Sequence, residues 1–285
     1  MLPDCAAYDL TTLSREVGPP VSAAYRLNRL FHPASRRCID VAVDHGFFGE
    51  PRFLQGIEDM ESTVAALVEA APDAIQLSLG QAPLLQRVAG KAKPALVLRV
   101  DVANVYGKEP AAPSFSQVID DAIGHAVRLD AACVCVNLFE IPGEDALRRE
   151  CIENVTRLRT AADQAGMPVM VEPLVMDRQS GGYGVDGDAD RIVALARQAV
   201  ELGADVIKAD PTNDLADFHR VVTAAGGTPV LVRGGGRVSD EEILERTRAV
   251  LDQGARGIVY GRNVIQHPDP SGMVRELRAV VHGAS

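Results

Sequence analysis

The sequence lacks what would send a chain to a membrane, to nucleic acid or to an oxidising compartment. No apolar run approaches the roughly 18 residues that span a bilayer. The N-terminal stretch MLPDCAAYDLTTLSREV has early acids and no basic-then-apolar pattern, which argues against a signal peptide. Positive charge is scarce, with 29 Lys and Arg against 39 Asp and Glu and a net charge of −10. Phosphate-backbone affinity needs clustered Lys and Arg, so no nucleic-acid partner is expected. A small anionic substrate stays possible, because a few arginines make a local positive site inside an acidic protein. Cys5, Cys38, Cys133, Cys135 and Cys151 are an odd set without disulfide-framework or zinc-ligand spacing. They read as buried, reduced thiols of a cytoplasmic protein, Cys133 and Cys135 sharing one face of an apolar run. No G-x-G-x-x-G follows the first strand, which tells against an open, doubly wound dinucleotide-binding sheet.

What is present is a rhythm. Short apolar runs occur at Cys38–Asp44, Asp73–Leu79, Ala95–Asp101, Ala132–Leu138, Pro168–Pro173, Asp205–Asp210, Pro229–Gly234 and Gly257–Gly261. Their nearly continuous apolar character fits parallel strands buried on both faces. Helical patterns lie between them. Asp186–Leu202 opens with acids, repeats Ile192, Leu195, Ala196 and Ala199 at helical spacing, and stops at Gly203. Ser239–Gln253 opens S-D-E-E and stops at Gly254. Eight β–α alternations predict an α/β fold, a single (β/α)8 TIM barrel, which needs about 250 of the 285 residues. Residues 1–37 read as an N-terminal helical extension across one mouth, broken at Gly18-Pro19-Pro20, and 38–285 as the barrel and catalytic domain.

In such barrels the chemistry sits at the C-terminal ends of the strands. Six strands here end in polar groups: Asp44-His45-Gly46, Arg99 and Asp101, Glu172, Lys208 and Asp210, Arg233-Gly234-Gly235-Gly236, and Tyr260-Gly261-Arg262-Asn263. Lys208 is the most informative. It interrupts D-V-I-K-A-D, and burying an ammonium is costly unless it is paired or neutral. A neutral, desolvated amine is a nucleophile, while an ion pair to Glu172 or Asp210 is the plain structural alternative. The glycines after strands seven and eight occupy the usual phosphate position of these barrels, where backbone approaches the oxygens and Arg233 or Arg262 adds charge.

V-D-H-G (43–46), L-G-A-D-V-I-K-A-D (202–210), P-V-L-V-R-G-G-G (229–236) and V-Y-G-R-N-V-I-Q (259–266) together resemble the class I, Schiff-base aldolases of the DhnA or DeoC/FbaB/LacD family. The resemblance covers about residues 25–282. It implies Lys208 as the Schiff-base lysine, Asp44 in substrate contact and proton transfer, and Gly235, Gly236, Gly261 and Arg262 at a phosphate. His45, Arg99, Asp101, Arg233 and Gly234 join these as substrate-binding candidates. Archaeal-type fructose-bisphosphate aldolases carry an acid–base tyrosine after strand five. Here Leu174 takes that place in V-E-P-L-V (171–175), which looks more like the L-E-P pattern of the tagatose-bisphosphate branch, where the glutamate acts. Acid–base work, removing the proton from the hydroxyl beyond the scissile bond, therefore falls to Glu172 with Asp44.

The expected activity is cleavage or formation of a C–C bond in a phosphorylated ketose, giving dihydroxyacetone phosphate and an aldehyde. No metal or cofactor is expected, because the imine is the electron sink. The partner is a small phosphorylated substrate, with neither nucleic acid nor membrane, and the family implies a homo-oligomer. A Schiff-base transferase or thiolase of the LsrF or transaldolase-like type is the alternative, ahead of a non-catalytic regulatory protein or a phosphate-binding isomerase. The loops Asp101–Ser114, with Asn104, Tyr106 and Lys108, and Gln179–Tyr183 are candidates for the substrate mouth.

Overall fold

The structure, a computed structural model, describes residues 21–106, 113–179 and 182–283. Gly18-Pro19-Pro20, Cys5 and Lys108 lie outside them. Eight parallel strands close into a barrel in the order β1 (Cys38–Ala42), β2 (Ala74–Ser78), β3 (Ala95–Arg99), β6 (Cys133–Glu140), β7 (Val169–Gln179), β9 (Val206–Ala209), β10 (Val230–Arg233) and β11 (Gly257–Tyr260). The pairing of β11 with β1 completes the ring.

Alternation explains why the strands read as continuously apolar. One parity faces the helices: Val41, Ile75, Leu98, Val136, Val171, Ile207, Val232 and Ile258 share a core with Leu67, Leu195, Ile243 and Leu277 from the surrounding helices. The other parity fills the barrel. Cys38, Val97, Cys133, Cys135, Met170, Val206, Leu231 and Val259 pack there, with Leu30, Leu27 and Phe31 of α1 (Val21–Leu30) and the turn after it closing the N-terminal mouth. The described cysteines are all free and buried, and Cys135 is pushed up to about 12 by burial. Asp40 also faces this interior, paired in register with Ala74 and Val259.

The helix limits follow their caps. Asp188 accepts from Arg191 N at the start of the helix Ala189–Glu201, and Ser239 accepts from Glu242 N at the start of the helix Asp240–Asp252. At the first residue of β11, Gly257 has φ +136°, and a Cβ there would fall on the Cys38 backbone. Gly257→Ala is therefore expected to cost about 3 kcal/mol or more, read as a lowered urea midpoint or loss of soluble protein.

Two strands leave the barrel. β7 runs on past Pro173 and turns back as β8 (Gly182–Val185), an antiparallel hairpin above the C-terminal mouth. After β3 the chain forms a second hairpin, β4 (Asp101–Ala103) with β5 (Ser116–Val118), where a loop was expected. Neither hairpin shows period-two alternation in the sequence: V-M-D-R-Q (175–179) passes from apolar to polar once, and the second has three-residue strands too short to show periodicity.

Candidate active site

Strand phase and barrel closure bring six polar side chains to one layer at the C-terminal end: Gln76, Arg99, Asn137, Glu172, Lys208 and Arg233. Asn137 stands in register beside Glu172, and Arg99 beside Ser78 and Cys135. Asp44 enters from just beyond β1. Lys208 and Glu172 are 4% and 3% exposed, so their charges must be met within the protein.

They are. Lys208 Nζ lies 3.0 Å from Glu172 Oε2 and 3.4 Å from Gln76 Oε1. Arg99 donates to the same Glu172 oxygen, and Arg233 Nε lies 3.1 Å from Glu172 Oε1. Burial opposes ionisation of Glu172, but Lys208, Arg99 and Arg233 outweigh it and hold the carboxyl well below the usual carboxylate range. Asp44 accepts from Gln76 Nε2 at 2.7 Å and Arg99 Nε at 2.8 Å; against its burial, Arg99, Lys208 and His45 hold its pKa down. Arg233 is further held by Asp210 at 2.8 Å. The result is a continuous network, Asp44–Arg99–Glu172–Lys208–Gln76, that leaves the amine at the cavity wall.

That cavity, about 660 Å³, opens at the C-terminal mouth and suits a small organic ligand. Asp44, His45, Arg99, Glu172, Lys208 and Arg233 line it, together with Gly234, Gly235, Gly236, Gly261 and Arg262. Burial pulls His45 down to about 4, so its imidazole is neutral at neutral pH. Asn263 holds the glycine loop by donating to the carbonyls of Gly234 and Gly236, both at 3.1 Å, and Arg262 donates to that of Gly235 at 3.0 Å. Gly261 is required where it stands, since a Cβ would meet the His45 ring.

Asp101 is the exception among the expected substrate-binding residues. It is fully buried and absent from the cavity wall, accepting instead from Arg99, Ser116, Asn137 N and Asn137 Nδ2. Its side chain braces Arg99 from behind. Tyr260 likewise turns out of the barrel, its hydroxyl 2.9 Å from Thr247 Oγ1. Asn104 ties its own hairpin, to Phe115 N and Pro113 O, whereas Tyr106 reaches the cavity. Sequence reasoning missed Gln76, Asn137, Phe48 and Phe53. The first two had a signal, polar residues in the inward phase of apolar strands; the two phenylalanines sit in short turns without periodicity.

Residues 38–267 match the sequence pattern of the DeoC/LacD family aldolases. The chain belongs to that family. Its members are class I aldolases that work through a lysine Schiff base. A 3-hydroxy-5-phosphonooxypentane-2,4-dione thiolase of Salmonella typhimurium is 34% identical over 262 residues, 90% of this chain and 81% of that protein. An uncharacterized aldolase of Saccharolobus solfataricus is 29% identical over 267 residues, 92% and 95% of the two chains. An archaeal fructose 1,6-bisphosphate aldolase has the same fold with TM-score 0.75 and 27% identity, covering 92% of this chain and all of that one. A further structure of such an archaeal enzyme, at the same TM-score and identity, has its catalytic lysine covalently bound to the carbinolamine intermediate of the substrate. The expected barrel and family are thus found. No helix among the described residues is long and apolar enough to cross a membrane.

Proposed function

We propose that this DeoC/LacD family aldolase makes or breaks a C–C bond of a phosphorylated ketose through a Schiff base on Lys208, with dihydroxyacetone phosphate and an aldehyde as the smaller partners. The observation that carries this reading is the buried amine at the cavity wall, 3.0 Å from an ionised carboxylate. The amine must shed a proton before it attacks the ketone, and Glu172 Oε2 is the nearest acceptor. The carbinolamine formed next must lose its hydroxyl as water, and the same carboxyl is placed to return the proton. Cleavage then sends the bonding electrons into the iminium to give an enamine. Asp44, held by Gln76 and Arg99, faces the substrate as a fixed acceptor. The substrate phosphate is assigned to Gly235, Gly236 and Gly261 with Arg262, a wall where backbone and one guanidinium meet the cavity. Arg99, Arg233, His45 and Gly234 shape the remainder.

Borohydride trapping with dihydroxyacetone phosphate tests it. Wild type is expected to gain one reduced adduct on the peptide containing Lys208, and Lys208→Ala none. Absence of any adduct in wild type with this and other carbonyl donors returns Lys208 to a structural ion pair. The thiolase relatives favour one second reading, transfer of the cleaved fragment to a thiol. Turnover that requires coenzyme A would select it, and release of a free aldehyde would select the lyase.

A further inference from the structure

Glu172 and Asp44 were both expected to serve the hydroxyl beyond the scissile bond. The geometry commits Glu172 elsewhere and leaves Asp44 an ionised acceptor on the cavity wall, not a proton donor. Glu172 spends one oxygen on Lys208 and Arg99 and the other on Arg233, and Asp44 Oδ2 takes two donors. A carboxylate facing three cations is a weak base toward an alcohol. The aldehyde oxygen, where charge changes as the C–C bond forms or breaks, needs an uncommitted proton donor at the cavity wall.

Tyr106 answers that description. It arrives from the chain after β4 and lines the cavity with Lys208, Glu172 and Arg233. Its ring is held edge-on by Phe48 at 4.8 Å, Phe53 at 5.6 Å and Phe139 at 6.1 Å, a packing that fixes the direction of the hydroxyl. Among the described residues that hydroxyl has no hydrogen-bond partner, whereas Tyr183, also on the cavity wall, is engaged with Glu144 at 2.7 Å. We infer that Tyr106 is a catalytic residue of this site, the general acid and base at the aldehyde oxygen of the substrate.

The inference rests on the Schiff-base reading and assigns one of its steps. In the condensing direction the enamine carbon attacks the aldehyde carbon, and the C–C bond forms. The carbonyl π electrons move to oxygen, which takes the Tyr106 proton. The phenolate left behind, favoured by Arg233 and Arg99 and opposed by burial, Glu172 and Asp210, is short-lived and recovers a proton from solvent. Cleavage runs the same transfers backwards. Burial raises the Tyr106 pKa, so the resting group is the phenol, the form that donates.

Tyr106→Phe removes one oxygen and keeps the ring packing, so folding is unaffected. Two reactions separate the steps. Exchange of the dihydroxyacetone phosphate C3 proton with deuterated water needs the imine and enamine but no aldehyde. Condensation of dihydroxyacetone phosphate with glycolaldehyde or glyceraldehyde 3-phosphate needs both. The variant is expected to keep borohydride trapping and proton exchange within about twofold, while kcat for condensation falls about 10²-fold or more. Condensation within about threefold of wild type would overturn the inference and leave the Schiff-base reading standing. Parallel loss of trapping would place Tyr106 in imine formation and also overturn it. If wild type itself does not trap, the failure belongs to the Schiff-base reading and takes this step with it.

Discussion

Glu172→Gln is expected to be among the most damaging single substitutions in this protein, because three cations share that carboxylate. The side chain keeps its shape and loses its charge. Lys208 and Arg99 at one oxygen and Arg233 at the other then face an amide, one end of which is itself a donor. Removing one partner from a buried ion pair costs about 3–5 kcal/mol, since the remaining charge stays desolvated. For a chain of this size that is a fall in Tm of about 10 °C. The pH dependence has a definite sign. The native pKa of Glu172 lies below the usual 4.5, so its stabilisation is complete at neutral pH and is lost as acid drives the carboxyl toward its depressed native value. The deficit of the variant should therefore be full at pH 7 and shrink below about pH 4.5. Trapping at Lys208 should also slow, because the amine has lost its proton acceptor. Thermal melts of both proteins from pH 7 down to about pH 3 check the first point, and adduct formation rates the second. Equal melting temperatures at pH 7 would show that the network is not coupled as drawn.

Asp40→Asn is expected to do the opposite. Asp40 is fully buried inside the barrel, and neither carboxylate oxygen has a partner among the described residues. Burial raises its pKa to about 7, against the pull of Lys208 and Arg99 and with the push of Asp44 and Glu172. Because the native value exceeds the unfolded 3.8, the contribution of Asp40 is fully present below about pH 4 and is lost as pH rises through about 7. About three pKa units correspond to about 4 kcal/mol, removed from wild type by pH 8 and absent from the asparagine variant. The variant should melt about 10 °C above wild type at pH 8, and the two should converge at pH 4. A constant difference across that range would show that Asp40 does not titrate in the folded protein. A buried carboxyl with no partner among the described residues is a standing cost, and it lies beneath the layer that holds Lys208.

Much of this was legible in the chain. Eight apolar runs separated by helical patterns specify a parallel barrel because strands buried on both faces lose the polar alternation that an exposed sheet keeps. The cap residues Ser239 and the glycines 203 and 254 mark helix limits because those positions demand a side-chain acceptor or a left-handed backbone. Lys208 stood out because an ammonium in an apolar strand needs a reason. The glycine loops and D-H-G carried the family.

Other features were not legible, for one physical reason. Which side chain meets which depends on closure of the ring, and contacts such as Gln76 with Asp44, 32 residues apart, or Lys208 with Gln76, 132 apart, leave no local trace. Gln76 is an ordinary polar residue until closure lets it bridge Asp44 and Lys208. Asp101 looked like a substrate ligand because it follows β3 directly, yet the β4–β5 hairpin carries it behind Arg99, where Ser116 and Asn137 hold it. Tyr106 was one polar loop residue among several until packing against Phe48, Phe53 and Phe139 placed it at the cavity. Residue chemistry and periodicity, which are local, determined the barrel, the family and the lysine. The partners of that lysine, the burial of Asp40 and the position of Tyr106 were decided by tertiary structure, because charge pairing and packing act across space and not along the chain.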